Sequence, residues 1–222
     1  ITKIRGPAFW QIGTDGGYLA APVMLNDPAN PWAPRLTIAP GERADVIIDF
    51  STVPVGTRLL LDNSAKAPFP AGAPAEPQTV GQIMQFRVVP LTSPDNSIIP
   101  ATLNTIPTLT PTVTRTLTLN EVMGPGGPIA LYLDGKMWDG DVTEMPTLGT
   151  TELWQIVNLT ADAHPIHLHL VQFQLLNRQR FQVNKYLTAY NAANPVIPVP
   201  EGSAYTTVPV EPYLVGKPWP AD

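Results

Sequence analysis

Proline and glycine punctuate this chain so densely that little room is left between them for long helices. Of 222 residues, 27 are Pro and 16 are Gly, near one residue in five and without a period. A proline inside a helix removes a backbone hydrogen bond and clashes with the preceding turn. The chain is therefore expected to be all-β, built of short strands and turns. Hydrophobic residues make up 44% and charged residues 14%, which argues against disorder. The length suffices for two ordinary cores.

Strand patterns occur at residues 43–50, 58–62, 83–89, 112–119 and 152–158, either alternating or continuously apolar and rich in β-branched side chains. In the fourth, Val113, Leu117 and Leu119 share one parity, so one face looks inward and the threonines look out. Thr14-Asp15-Gly16-Gly17 and Gly124-Pro125-Gly126-Gly127 read as hairpin turns, and Ala39-Pro40-Gly41 as a turn feeding the next strand. Neither glycine run has the spacing of a phosphate-binding loop. The strand spacing is that of β-sandwiches. Residues 91–111, rich in proline and with Asp95 their sole charge, read as a linker between one unit at 1–90 and another at 112–222. The proline-rich tail from Asn194 to Asp222 is expected to be long and irregular.

With 13 Lys and Arg against 18 Asp and Glu, the net charge is -5, and no basic run exists. A nucleic-acid surface has no electrostatic basis here. No stretch approaches the ~20 apolar residues of a membrane helix, and residues 1–6 carry no apolar signal core. The absence of cysteine excludes disulfides, thiolate metal sites and a cysteine nucleophile.

All three histidines fall in His164-Pro165-Ile166-His167-Leu168-His169. In an extended strand, His167 and His169 leave the same face about 6 to 7 Å apart. That is far for sharing one ion with bonds near 2 Å and suitable for two neighbouring ions. Pro165 and odd spacing direct His164 elsewhere, so the pattern predicts one isolated metal site and one multinuclear site. Imidazole suits Cu, Zn, Fe and Ni alike. The plainer alternatives are a strand of histidines satisfied by carbonyls, or a non-catalytic zinc site. Asp162 and nearby carbonyls are candidate acceptors for the second ring nitrogens. No Gly-x-Ser-x-Gly elbow supports a hydrolase triad. Glu121 and Glu152, the best carboxylate pair for glycosidase chemistry, read as solvated strand-end charges. Arg43 and Asp45 read as a turn and a solvated strand edge rather than as an ion pair pinning the first unit, and not as ligands. Asn158-Leu159-Thr160 is a glycosylation sequon beside the histidines, where a glycan would obstruct the site. The five methionines read as core fillers.

At these residues the chain resembles the multicopper oxidases, in particular their bacterial laccase and bilirubin-oxidase-like branch. The matching motifs are Leu133-Asp-Gly-Lys-Met-Trp138, Gly149-Thr-Thr-Glu-Leu-Trp-Gln-Ile-Val-Asn158, His164-Pro-Ile-His-Leu-His169 and Phe173-Gln-Leu-Leu176. Ile12-Gly-Thr-Asp-Gly-Gly-Tyr-Leu19 and the run from Leu36 to Phe50 resemble the family's middle domain. The resemblance implies cupredoxin-like Greek-key sandwiches: a middle domain at 1–90 and a third domain at 112–222, incomplete at its C-terminus. It implies copper as cofactor, with His164 a ligand of the type 1 ion, His167 of the type 2 ion and His169 of the type 3 pair. It implies oxidation of phenolic or similar substrates coupled to reduction of O2 to water. The family's His-Cys-His segment and the His-x-His pairs of its first domain have no counterpart here. The expectation is thus a fragment without a complete copper site, whose partners are the missing N- and C-terminal segments or other chains supplying them. The alternative is a non-catalytic copper-binding or structural cupredoxin module. An exported or spore-coat setting is expected for the parent.

Overall fold

A computed structural model of the chain describes residues 5–30 and 34–220. It divides into two compact units, Ile1–Pro107 with Asp162–Phe173, and Thr108–Ala161 with Gln174–Asp222. The five expected strands are all present.

In the first unit, β1 (Phe9–Thr14) and β2 (Gly17–Leu25) form an antiparallel hairpin. Asp15 and Gly16 make its tip, and Gly16 adopts φ +80°, a conformation that favours glycine. β3 (Asp45–Ile48) pairs with the other edge of β1, giving the order β2-β1-β3. Gly13 lies where the register shifts, and a Cβ there would come within 2.8 Å of the Asp45 carboxylate. β4 (Arg58–Asp62) pairs with β7 (Gln82–Arg87), and the short β5 (Lys66–Ala67) with β6 (Ala73–Pro74).

The second unit is built on a sheet of order β10-β8-β9. β8 (Val113–Gly124) and β9 (Gly127–Leu133) form the second expected hairpin, and β10 (Glu152–Asn158) runs parallel to β8. Thr118 and Val157 face one another in this register and are 1% and 3% exposed. Over Val157 lies the core: Tyr186 and Tyr190, with Val208 and Val210 from the tail. On β9, Tyr132 is buried, while Ile129 and Leu131 stand largely exposed on the other parity.

The all-β expectation holds with one short helix added, and two other expectations need correction. An 11-residue helix, α1 (Val183–Ala193), follows β11 (Asn177–Phe181). It lies in the longest run free of proline and glycine, residues 166–194, where nothing forbids helix. Tyr186 and Tyr190 are four apart and so share its buried face. The tail is not irregular throughout. A 3-10 turn at Glu211–Tyr213 leads into β12 (Leu214–Pro220), which pairs antiparallel with β11. Asn194 holds the tail: its side-chain oxygen accepts the Thr206 N–H, and its amide donates to the Thr206 carbonyl, both at 2.9 Å. Residues 194–210, before that strand, form no ladder, and one buried asparagine supplies part of their hydrogen bonding. Finally, Met24, Met84, Met123, Met137 and Met145 are not core fillers, since each is between 42% and 72% exposed.

Among the described residues, no helix is long and apolar enough to cross a membrane.

Candidate metal centre

The histidine segment is not a strand. Residues 163–168 are irregular, and Leu170 takes φ +66°. This segment clusters with the first unit, although its sequence position falls within 112–222. Its ties to that unit explain the placement. The Ala163 N–H donates to the Phe69 carbonyl at 3.2 Å. The Gln172 side-chain amide donates to the Gly16 carbonyl. His167 Nδ1 lies 3.0 Å from Asp15 Oδ2. Both of the last two contacts land on the tip of the β1–β2 hairpin.

Without strand geometry, the two later imidazoles come closer than expected. The ring centroids of His167 and His169 are 4.9 Å apart, with the rings edge to face at 78°. The 6 to 7 Å spacing of an extended chain therefore does not hold. With ring centroids roughly 3 Å from a bound ion, a 4.9 Å separation permits one shared ion as well as two neighbours. His164 is half-buried, and the other two histidines are exposed.

Sequence reasoning missed Asp15. Its Oδ1 accepts the Arg43 main-chain N–H at 2.6 Å, and its Oδ2 lies 3.4 Å from the Arg43 guanidinium. The Arg43 amide, with help from His167 and the guanidinium and against some desolvation, holds the Asp15 carboxyl below its ordinary value. Arg43 is thus more than a solvated edge: it pairs with the carboxylate that meets His167. The only advance signal was the hairpin motif itself.

The carboxylates named for acid–base chemistry separate. Glu152 lies opposite Val113 on β8, eight residues from Glu121, or about 26 Å along the strand. Nor is Glu152 a solvated charge. It accepts two hydrogen bonds from Arg115 at 3.0 Å and one from the Trp154 indole at 2.8 Å. The Arg115 bond, followed by that of Trp154, holds its carboxyl low. Glu121 Oε2 is buried with no hydrogen-bond partner among the described residues. Asn158 of the sequon accepts the Thr160 N–H and hydroxyl at 2.9 and 2.8 Å, a local turn.

Two imidazoles are suitable donors for a borderline transition metal such as copper. Among the described residues, however, no group of three or more His, Cys, Asp or Glu side chains is placed to hold an ion. The donor set fits a metal in kind and falls short in number.

Comparison with known proteins gives one answer. The multicopper oxidase family model matches residues 101–212. The laccase of Bacillus subtilis is 40% identical over 202 residues, spanning 88% of this chain and 37% of that protein. The laccase of Bacillus stratosphericus is 38% identical, spanning 89% and 38%. The crystal structure of a multicopper oxidase from the hyperthermophile Aquifex aeolicus superposes with a TM-score of 0.54 at 26% identity, covering 74% of this chain and 36% of that one. The chain therefore spans little more than a third of the length of the relatives it matches. Its strands are those of a cupredoxin-like β-sandwich protein, and the chain belongs to the multicopper oxidase family.

Proposed function

We propose that this chain is part of a laccase-like oxidase, contributing the middle cupredoxin domain from 1–90 and the first portion of the third from 112–222. In this reading His164 serves the mononuclear type 1 site, while His167 and His169 serve the type 2 and type 3 ions of a trinuclear cluster. The family's cofactor is copper. When bound, copper would take electrons singly from a phenolic or similar reductant and deliver them to O2. The chain's own part is to present neutral imidazoles in fixed orientations.

The observation carrying this reading is the 4.9 Å pairing of the His167 and His169 rings. Two exposed imidazoles facing one another, without a third protein ligand beside them among the described residues, form an open half-site. Segments elsewhere in the parent, or other chains, would supply the remaining imidazoles and the thiolate. The thiolate provides the strongly coupled route for electrons at a type 1 site.

The test is copper content and O2 uptake of the full-length protein with a phenolic reductant. The reading expects bound copper, an intense blue absorption from thiolate-bound copper, and O2 uptake in proportion to phenol oxidised. Bound copper with no blue band and no turnover would favour a non-catalytic cupredoxin module.

A further inference from the structure

We propose that Asp15, at the tip of the β1–β2 hairpin, is a positioning residue that fixes the tautomer of His167, holding the proton on Nδ1 and leaving Nε2 as the ring's free lone pair. The 3.0 Å contact joins Nδ1 to a carboxylate oxygen. An ionised carboxylate only accepts. A neutral ring must then carry its proton on the nitrogen that faces Asp15, because the opposite tautomer would set a lone pair against a negative oxygen. Which nitrogen of a ligating histidine binds the ion is decided by the hydrogen bond the other one makes.

The carboxylate is itself held in place. The Arg43 N–H engages Oδ1 at 2.6 Å, and the Arg43 guanidinium stands 3.4 Å from Oδ2. The hairpin that carries Asp15 is tied to the same histidine segment a second time, by Gln172 on Gly16. A side chain added at Gly17 would run into that Gln172 amide. The tip is thus fixed to the segment on either side of His169, five residues apart. His167 and His169 meet edge to face, so the ring that Asp15 holds is one member of that pair. With one oxygen on Arg43 and the other on His167, Asp15 acts through the histidine and is not a ligand.

The consequence for copper rests on the reading of His167 as a ligand, whereas the tautomer does not. The test therefore uses two independent measurements on the full-length protein. The first is 15N NMR of the ring nitrogens in copper-free protein at a pH where the ring is neutral. The wild type should show His167 protonated on Nδ1, and Asp15→Ala should shift it toward Nε2. The second is copper affinity by chelator competition. Asp15→Ala should weaken it about 10- to 100-fold, as loss of a histidine's partner commonly does. Asp15→Asn keeps an accepting oxygen without the charge and should fall between.

A wild-type His167 protonated on Nε2 overturns the proposal, and this result needs no variant to fold. So does Asp15→Ala with unchanged affinity while His167→Ala loses copper. If His167→Ala leaves copper binding intact, the ligand reading fails, and the NMR result alone still decides what Asp15 does.

Discussion

Replacing Tyr186 separates the packing of the second unit from its hydrogen bonding. The side chain is fully buried, and its hydroxyl donates to the Val208 carbonyl at 2.9 Å. Its ring meets Phe181 and Tyr213 edge to face, with centroids 5.6 and 5.3 Å away. Tyr186→Phe keeps the ring and removes one hydrogen bond, leaving a buried carbonyl short of a donor. The cost should be about 1 to 2 kcal/mol. Tyr186→Ala removes the ring as well, opens a cavity beneath β10 and breaks these two pairs together with the stacking on Tyr190 at 6.3 Å, so it should cost about 4 to 5 kcal/mol. The difference of about 3 kcal/mol is the share of packing. Urea unfolding followed by circular dichroism measures both, with the shift in midpoint read at constant slope. A Tyr186→Ala loss under about 2 kcal/mol, or a Phe variant as costly as the Ala variant, would refute the view that this ring organises the core.

Asp134 and Asn194 carry two further predictions. The Asp134 carboxyl accepts the Thr118 N–H at 2.6 Å, yet desolvation outweighs this and raises it above its ordinary value of 3.8. The folded state thus holds its proton to higher pH than the unfolded chain does, and this group's contribution to stability falls as pH rises from 3.8 through the folded value. Asp134→Asn removes that fall. The variant should gain on the wild type as pH rises through this window, and a difference independent of pH in parallel denaturation curves would contradict it. Asn194→Ala removes both bonds to the Thr206 backbone and should cost about 2 kcal/mol. Hydrogen exchange at the Thr206 amide should then speed up roughly 30-fold, and an unchanged rate would show that the tail is held by its valines alone.

Five strands and both hairpin turns were legible because each depends on neighbours in sequence: apolar alternation in Val113 to Leu119, glycine at the Gly16 turn. Helix α1 was hidden by an average, since prolines elsewhere in the chain obscured the one long run without them. The tail was misread because Asn194 acts through tertiary hydrogen bonds that no periodicity records. The histidine cluster stood out by composition, but its local geometry did not follow. Pro165 and Leu170 bend the segment out of the strand on which the spacing depended. Asp15 was visible only as part of a hairpin turn, because its contact with His167 spans 152 residues and is made by folding.

The three neighbouring histidines are proposed to divide their work between two copper sites. Visible absorption, electron paramagnetic resonance and copper content of the full-length protein bearing His164→Ala or His169→Ala test this most directly. His164→Ala should abolish the blue absorption and leave the copper of the trinuclear cluster in place. His169→Ala should keep the blue absorption and stop O2 reduction. The same spectroscopic loss from both substitutions, or a blue band that survives His164→Ala, would contradict the division.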